Sequence, residues 1–477
     1  MSKRDLDENQ LLPVKNGDRP QGEIEVDFSD EDSDDFESDD EDEIFQQSDE
    51  EDGDAVMTLD DQKAQVWLPG TQLAQNEVLE ADQSAYELLH NINVKWPCLT
   101  FDILWDKLGE ERRTYPATCY VVTGTQADES KHNEIQVIKC SNLVKTQVDD
   151  NSSVSSAESN DDEPELSYRA IPVVGGTNRI RATQARDQPH LVASMNESGH
   201  VYIHNIEAHI QSLDSNTTNT SILKDASLNR PIHTIKSHAS EGYALDWSPL
   251  IPGKLITGDN DGRIYVTTRN DDGSFTTDSR PFTGHAGSVE DLQWSPSEKT
   301  VFASCSSDGT LKIWDTRSKK RSAALTVKAH ETDVNVISWN PTVNYLIASG
   351  SDDGQISIWD LRTFSQQTAE RPATPAASFS WHRQAITSIQ WHPTDESVLV
   401  ASGADDQVTL WDLSVELDAE EQAAKQSEGM GDVPSQLMFV HMGQKDIKEV
   451  RWHRQLPGVI LSTALTGFNV FKSAHQS

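Results

Sequence analysis

Lysine and arginine are absent from residues 20–62, where 21 residues are aspartate or glutamate. Such a segment cannot fold alone, because its charges repel one another and it has almost no apolar surface to bury. Residues 149–165 hold seven acids and no base, and residues 414–432 hold six acids and Lys425. The three segments have net charges of −21, −7 and −5, against −40 for all 477 residues. The acidity therefore belongs to segments that we expect to be disordered, around a body that is close to neutral.

The lack of clustered lysine and arginine argues against a direct nucleic-acid ligand, because neutralising phosphates requires such clusters. The acidic leader, residues 1–65, is instead expected to shield a basic partner, whose capture complementary charge would speed. Phe28, Phe36 and Phe45 interrupt the acids and favour a loose clamp over the alternative of a solubilising tail. The candidate shielding residues are Asp30, Glu31, Asp32, Asp34, Asp35, Asp39, Asp40, Glu41, Asp42 and Glu43.

Cysteine is scarce, and none of the four cysteines forms a C-x-x-C pair, which argues against a zinc knuckle or a redox motif. We expect them to be reduced, mostly buried thiols of an intracellular protein. No window approaches 18 apolar residues and the first ten residues lack an apolar signal core, so we expect neither secretion nor a membrane span. No phosphate-binding glycine loop or metal cluster is present, and no cofactor is expected.

A repeat fills the second half of the chain. Residues 303–315 read ASCSSDGTLKIWD, residues 348–360 read ASGSDDGQISIWD and residues 401–412 read ASGADDQVTLWD. A histidine and a tryptophan precede each copy, and both VEDLQW and LKIWD alternate apolar and polar residues as strands do. The Asp-Gly pairs predict tight turns between the strands. Each unit is therefore predicted to be a four-stranded blade of a closed β-propeller.

These copies resemble the WD-repeat family, in which a His, a Ser or Thr, an Asp and the Trp form a hydrogen-bonded chain within a blade. The resemblance implies three such structural networks. A Ser–His–Asp set would also suggest a protease, but a catalytic triad does not recur in every blade. The expected networks are His285, Ser304, Asp308 and Trp314; His330, Ser349, Asp353 and Trp359; and His382, Ser402, Asp406 and Trp411.

Weaker copies bring the predicted count to seven blades. One contains His238, Trp247, Thr257 and Asp261, with Thr267 in place of the final Trp. Others cover residues 118–140, 180–206 and 448–472. We expect residues 99–105, LTFDILW, to close the ring by pairing with the last blade. The predicted fold is therefore an all-β, seven-bladed propeller over residues 99–477, with polar or acidic insertions at 141–165, 211–229 and 414–434.

Residues 66–98 are predicted to contain a helix, because apolar residues from Val78 to Leu89 recur at roughly helical intervals before Pro97. A helix ending at Tyr86–His90, followed by Trp96-Pro97, resembles the histone-binding WD-repeat group. WLPG at 67–70, PCLTFD at 97–102 and GTQA at 124–127 are similar to the glutamate-rich WD-repeat proteins, which regulate ribosome biogenesis in eukaryotes.

That resemblance implies a non-catalytic escort of a basic large-subunit ribosomal protein, number three of the standard series. Its partners would include early 60S precursor particles and their assembly factors, and its location the nucleus and nucleolus, with the cytoplasm as a further site. The resemblance also raises a histone chaperone or chromatin scaffold as an alternative. The face expected to bind the client is the end of the propeller with the Asp turns, and the nominated residues are Glu241, Tyr243, Asp259, Glu290, Asp333, Asp352, Trp381, Asp405 and Asp446.

Three short motifs remain. Ser29, Ser38 and Ser48 each have an acid three residues later, which fits an acidophilic kinase and also arises by chance in such a mixture. Residues 314–317 and 359–362 match the W-D-x-R box of cullin-ligase substrate receptors, a second alternative function, although a solvated arginine after an ordinary blade end explains them as well. Residues 319–321, Lys-Lys-Arg, could aid nuclear import but are more simply a solvated loop.

Overall fold

The computed structural model describes residues 82–146, 163–184, 190–214, 226–366, 372–416 and 433–474. In these residues 28 strands form seven four-stranded antiparallel sheets, so the predicted seven-bladed propeller is confirmed. The N-terminal strand β1, Tyr86–Asn93, belongs to the last blade.

Blades 1 to 4 each follow the chain from the innermost strand outward. Blade 1 has β2 to β5, at Cys98–Ile103, Ala117–Thr125, Glu134–Leu143 and Glu165–Pro172. Blade 2 has β6 to β9, at Thr177–Ala182, Leu191–Asn196, Val201–Asn205 and His233–Ile235. Blade 3 has β10 to β13, at Ala244–Trp247, Lys254–Gly258, Ile264–Arg269 and Phe275–Thr277. Blade 4 has β14 to β17, at Val289–Trp294, Val301–Ser306, Thr310–Asp315 and Leu325–Lys328.

Blades 5 and 6 have the same order, and blade 7 borrows its outer strand. Blade 5 has β18 to β21, at Val334–Trp339, Leu346–Ser351, Ile356–Asp360 and Ala377–Phe379. Blade 6 has β22 to β25, at Ile386–Trp391, Val398–Gly403, Val408–Asp412 and Leu437–His441. Blade 7 has β26 to β28, at Glu449–Trp452, Ile460–Ala464 and Gly467–Ser473, followed outward by β1. The described ranges contain the helices α1 at Glu207–Asp214 and α2 at Leu361–Phe364, with 3₁₀ turns at Gln83–Ala85 and Ser130–His132.

The ring is closed by β1, not by residues 99–105 as expected. β1 pairs with β28 from Tyr86↔Ser473 to Asn93↔Gly467, whereas β2 is the innermost strand of blade 1. The predicted helix is also wrong for Tyr86–His90, which is strand; residues 66–81 lie outside the described part of the chain. The propeller therefore begins before residue 99. Leu88 is fully buried against blade 1 residues such as Phe101, so this segment gains more from sheet pairing than from a local helix.

The core lies between adjacent blades. Ala244 and Ile256 of blade 3, for example, pack against Val289, Leu292 and Trp294 of blade 4. The innermost strands are also joined by side chains: in blades 3 to 6, the residue before the strand-ending Trp accepts the backbone N–H of the next such Trp around the ring. The acceptors and distances are Asp246 to Trp294, 2.8 Å; Gln293 to Trp339, 2.5 Å; Ser338 to Trp391, 3.2 Å; and Gln390 to Trp452, 2.6 Å.

We call the end of the propeller that carries the turns between second and third strands the turn end, and the opposite end, where third strands finish in Trp-Asp, the WD end. β16 runs from Thr310 at the turn end to Asp315 at the WD end. The four cysteines are buried and form no disulfide. None of the helices in the described ranges is long and apolar enough to cross a membrane.

Candidate partner-binding face

The turn end is built from Asp turns and the loops that carry the blade histidines. Gly309 and Gly354 have φ angles of 73° and 82°, a conformation that glycine adopts without strain. In blade 4, Asp308 Oδ1 accepts the Thr310 N–H at 2.9 Å, which fixes the turn. In blade 6, Asp406 occupies the glycine position at φ 63°, a conformation that aspartate tolerates better than most residues.

Blade 4 contains the expected hydrogen-bonded chain. The ring of His285 contacts Asp308 Oδ2 at 3.0 Å through Nδ1 and Ser304 Oγ at 2.6 Å through Nε2. Trp314 Nε1 donates to the same hydroxyl at 2.8 Å. This chain ties two strands, the turn between them and the His loop together, and each of its donors and acceptors is engaged within the blade. It is therefore a structural network rather than a catalytic one.

Blade 5 contains only part of its expected chain. His330 Nε2 contacts Ser349 Oγ at 2.7 Å, and Trp359 Nε1 donates to that oxygen at 2.9 Å. Asp353 does not reach the histidine: it accepts the hydroxyl of Ser351 and the N–H of Gln355 instead. Asp353 therefore stabilises the turn, while His330 Nδ1 has no hydrogen-bond partner in the described part of the chain.

Blade 6 uses different residues from those predicted. His382 contacts Asp405 Oδ1 and Thr409 Oγ1, both at 2.9 Å, and Trp411 Nε1 donates to Thr409 at 2.8 Å. Ser402 contacts Thr387 instead, at 2.8 Å. The predicted Ser402 and Asp406 are one residue out of register, because the position of Ser304, ten residues before the Trp, is occupied here by Ala401. Thr409 pairs with Ala401 across the sheet and supplies the missing hydroxyl.

Two of the nominated face residues belong to such networks. Asp259 is fully buried, and its Oδ2 contacts His238 Nδ1 at 2.8 Å, in the position expected of Asp261. The side chain of Asp405 is 7% exposed and is held by His382. Neither carboxylate is available to a partner in this conformation. A turn aspartate can point outward or back into its blade, and sequence does not distinguish the two.

Three nominated residues come together at the turn end of blades 3 and 4. Glu241, Tyr243 and Glu290 are half-buried, and Glu241 Oε2 accepts a hydrogen bond from Asn178 at 3.1 Å. Burial, together with the charges of Glu241 and Glu290, raises the pKa of Tyr243 to about 12. The tyrosine is thus a neutral aromatic group close to two carboxylates. An aromatic ring beside two carboxylates suits a lysine or arginine side chain.

The remaining four nominated residues lie on other blades. Asp352 is exposed and accepts a hydrogen bond from Asn335 at 3.0 Å, and Asp446 is exposed beside Lys448 at 2.5 Å. Asp333 and Trp381 are half-buried, with the Trp381 indole donating to Gln407 at 3.0 Å. These residues are spread around the rim and do not form one compact pocket.

A buried ionic cluster in the central channel was missed from the sequence. Glu449 is 1% exposed, and its carboxylate contacts Arg181 at 2.6 Å, Arg451 at 3.0 Å and Arg179 at 3.6 Å. Its other oxygen accepts the Phe101 N–H at 3.0 Å. The cluster therefore joins the innermost strand of blade 7 to those of blades 1 and 2. The ring is thus closed at two places: by this cluster in the channel and by β1 at the outer edge of blade 7.

The charges in this cluster depend on one another. Burial alone would raise the pKa of Glu449, but the guanidinium groups of Arg181, Arg451 and Arg179 hold it well below its usual range. Burial raises the pKa of nearby Asp246 to about 7, although the Trp294 N–H opposes that rise. The sequence did contain a signal for this cluster. Arg451 and Asp246 each come directly before a strand-ending Trp, and a side chain at that position points into the channel.

The two acidic insertions begin and end at the WD end, where the described part of the chain also begins. Tyr86, the first residue of β1, pairs with Ser473 there. Residues 146 and 163 flank the second segment and residues 416 and 433 the third, each pair between the third and outer strands of its blade. The connections belong to consecutive blades 6, 7 and 1. The nominated face is at the end opposite these attachment points, which sequence could not predict.

The W-D-x-R boxes also lie at the WD end. Arg317 is paired with Asp315 at 2.6 Å, and Arg362 with Asp360 at 2.6 Å, and both arginines are exposed. Arg362 also stacks over Tyr345 at 3.6 Å. Outside the described residues lie Ser29, Ser38, Ser48 and the leader acids from Asp30 to Glu43. Within the described ranges, no group of three or more His, Cys, Asp or Glu residues is placed to hold a metal ion.

Comparison with known proteins gives two family matches. Residues 76–144 match the family of the histone-binding protein RBBP4, described also as a component of the CAF1 complex. Residues 277–315, 322–360 and 373–412 match the WD domain, G-beta repeat. These matches cover the N-terminal entry into the ring and blades 4 to 6.

Three curated relatives align over most of the chain. Ribosome assembly protein rrb1 of Schizosaccharomyces pombe is 48% identical, with 99% of each chain covered. Protein HEAT STRESS TOLERANT DWD 1 of Arabidopsis thaliana is 43% identical over 85% of this chain and 90% of its own length. Glutamate-rich WD repeat-containing protein 1 of Dictyostelium discoideum is 43% identical over 86% of this chain and 85% of its own.

Proposed function

This chain belongs to the family of ribosome assembly protein rrb1 and glutamate-rich WD repeat-containing protein 1, and from that premise we propose that it acts in ribosome assembly. The observation that carries the proposal is the 48% identity to rrb1 over 99% of both chains. The family consists of WD-repeat proteins and the role is binding rather than catalysis. Nuclear residence follows from that role, with the nucleolus as the expected site.

The finer proposal is that the chain escorts one basic ribosomal protein of the large subunit, number three of the standard series, to early precursor particles. The carboxylates of Glu241, Glu290, Asp352 and Asp446 at the turn end support recognition of lysine and arginine side chains. The acidic segments would cover the client's RNA-binding surfaces until ribosomal RNA displaces them.

Charge reversal at the turn end tests recognition. Glu241→Lys combined with Glu290→Lys is expected to weaken client binding at least 10-fold, because two attractive carboxylates become repulsive. A matched control is Glu298→Lys with Glu396→Lys, two exposed glutamates at the WD end. The measurement is the dissociation constant of the purified client at two salt concentrations. Equal affinities for the two double variants would exclude the turn end as the recognition face.

Deletion of residues 1–62 tests shielding. Co-expression with the client should then yield less soluble client and slower capture, while the identity of the client stays the same. Retention of full client solubility at moderate salt would contradict the shielding role. This result separates the leader's contribution from that of the propeller.

A histone chaperone is the second candidate, because residues 76–144 match a histone-binding family. Affinity capture of the full chain from a nuclear extract distinguishes the candidates. A single ribosomal protein at 1:1 supports the escort, and core histones support the alternative. A cullin adaptor lost on Arg317→Ala with Arg362→Ala would instead support a ligase receptor.

A further inference from the structure

The outer edge of blade 1 differs from that of the other blades. Its outermost strand, β5, is eight residues long, whereas the outermost strands of blades 2 to 6 have three to five. An outermost strand leaves one row of backbone N–H and C=O groups unpaired, and a long row is a template for another strand. Propellers limit this hazard with short outer strands, and blade 1 departs from that pattern.

The other long outer strand, β1 of blade 7, is covered. Residues 144–146 run beside it, with the Leu89 N–H donating to Thr146 Oγ1 at 2.6 Å and the Thr146 N–H donating to the Glu87 carbonyl at 3.0 Å. His90 Nε2 also contacts the Val144 carbonyl, at 2.8 Å. Across the described part of the chain, β5 pairs with β4 alone and no further segment of backbone runs along it. α1 contacts β5 through Arg169, whose side chain also donates to the Tyr168 carbonyl at 2.9 Å. Among the described residues, the edge of β1 is thus protected, whereas the edge of β5 has no strand beside it, and we call it the open edge.

The open edge is also apolar. Leu166 is 39% exposed, Tyr168 50% and Val174 70%, so three of the seven exposed large apolar residues in the described ranges lie within nine positions. Leu166 and Tyr168 share one face of the strand, because they are two residues apart. They lie opposite Cys140 and Ile138 of β4, next to the core between blades 7 and 1. Clustered exposed apolar side chains of this kind mark interaction sites.

The charge beside β5 is negative. Glu163 and Glu165 are exposed at the start of the strand, and neither takes part in an ion pair with any described residue. The neighbouring cations are already engaged: Arg169 donates to Ser212 at 2.9 Å, and Lys139 pairs with Asp214 at 3.3 Å. By sequence, residues 149–165 contain seven acids and no base. An occupant of this edge is therefore expected to carry positive charge.

We propose that β5 is a strand-addition site for an extended, basic segment of the client protein. This inference rests on the proposed escort function and adds the place and manner of contact. Backbone hydrogen bonds along Glu165–Pro172 would supply affinity, as in other cases of strand addition. Leu166 and Tyr168 would contact alternate apolar side chains of the added strand, and Glu163 and Glu165 its lysines or arginines. Blade 1 would become a five-stranded sheet.

The test is the double variant Leu166→Lys, Tyr168→Lys in the full chain. Edge lysines oppose strand addition and here also repel a basic strand, so we expect the affinity for the purified ribosomal protein to fall at least 10-fold. The matched control is Ile232→Lys with Met438→Lys, two comparably exposed apolar residues beside or within the outer strands of blades 2 and 6. The control should bind within 2-fold of the unmodified chain. Thermal melting of both variants checks that they fold.

Amide hydrogen exchange provides an independent readout. Binding of the client should slow exchange across residues 165–172 and leave the outer strand of blade 6, residues 437–441, unchanged. If the client binds but these amides are not protected and the double variant binds normally, the inference is overturned and the escort function stands. If the ribosomal protein does not bind the unmodified chain, both fall. A concentration-dependent dimer lost in the double variant would assign the edge to a second copy instead and overturn the inference.

Discussion

The same chemical contact occurs in two different surroundings in this propeller. In the channel, Arg181 Nη2 lies 2.6 Å from Glu449 Oε1, and at the WD end Arg317 Nη2 lies 2.6 Å from Asp315 Oδ2. The side chains of the first pair are 9% and 1% exposed, whereas that of Arg317 is 72% exposed. Distance alone therefore does not rank the two contacts, and burial decides what each contributes to the fold.

Burial makes the channel cluster interdependent. The carboxylate of Glu449 is surrounded by three guanidinium groups that have little access to water, so removing it would leave them uncompensated. At the WD end, the Arg317 side chain lowers the pKa of Asp315 to about 2, but solvent screens the pair. The buried cluster secures ring closure, and the exposed pair leaves its arginine accessible to partners.

The largest expected effect comes from Glu449→Ala. We expect the free energy of unfolding to fall by about 3–5 kcal/mol, because buried arginines lose their counter-charge. Urea unfolding followed by tryptophan fluorescence measures this loss. Glu298→Ala, at an exposed glutamate, is the control and should change stability by less than about 0.5 kcal/mol. A loss below about 1 kcal/mol for Glu449→Ala would contradict the contrast between buried and exposed carboxylates.

The next largest effect is expected in the blade networks, whose buried hydroxyl groups are uncharged. Thr409→Val removes the hydroxyl that contacts both His382 and Trp411, and should cost about 1–3 kcal/mol, as should Ser304→Ala in blade 4. Ser402→Ala loses only the contact with Thr387 and should cost less, about 0.5–1 kcal/mol. Urea unfolding of the three variants ranks them. A larger loss of unfolding free energy for Ser402→Ala than for Thr409→Val would support the network predicted from sequence instead.

The pH dependence of the unfolding free energy tests the effect of burial on one histidine, His441. Burial lowers the pKa of His441 to about 4, and its ring contacts the Tyr86 hydroxyl of the closing strand at 2.9 Å. Because the folded pKa lies below the unfolded value of about 6.5, this histidine's contribution is present above pH 6.5 and is lost as pH falls toward 4. Between pH 7 and 5.5 the loss is about 1 kcal/mol.

His441→Gln should remove that part of the pH dependence, measured as the difference in unfolding free energy at pH 7 and 5.5. His132→Gln is the control, because His132 is exposed beside Asp128. Identical pH profiles for the unmodified chain and His441→Gln would show that the His441 ring titrates normally in the folded state.

The smallest effects are expected at the W-D-x-R boxes. Arg317→Ala should change stability by at most about 0.5 kcal/mol, since exposed ion pairs contribute little. Arg362→Ala should cost slightly more, up to about 1 kcal/mol, because its guanidinium also stacks on Tyr345. Thermal melting measures both. A loss above about 2 kcal/mol for either would mean that exposed pairs in this propeller behave like buried ones.

Much of the blade interior could be predicted from sequence spacing. The histidine lies 29 residues before the Trp in blades 4, 5 and 6, and counting ten and six residues back from Trp411 gives Ala401 and Asp405. Matching the motif by its letters selected Ser402 and Asp406 instead. Counting would have recovered Asp405 and shown that the usual hydroxyl was missing. It would not have found Thr409, because its role depends on its position opposite Ala401 in the sheet.

The closing strand could not be predicted in the same way. Residues 86–93 and 98–103 both contain apolar residues at strand spacing, and either could have paired with the last blade. The choice depends on Ser473 and Gly467, nearly 400 residues away. Local pattern carries no information on such a partner, since sheet pairing is decided by long-range packing.

By itself, the sequence determined the number of blades, the identity of the family and the separation of acidic segments from a nearly neutral body. These follow from local repeats and from composition, which need no knowledge of distant contacts. Only the tertiary structure decided which strand closes the ring, which aspartates turn inward, and that the two acidic insertions begin and end opposite the nominated face. Each of these depends on residues far apart in the chain, whose burial and pairing exist only once the ring has closed.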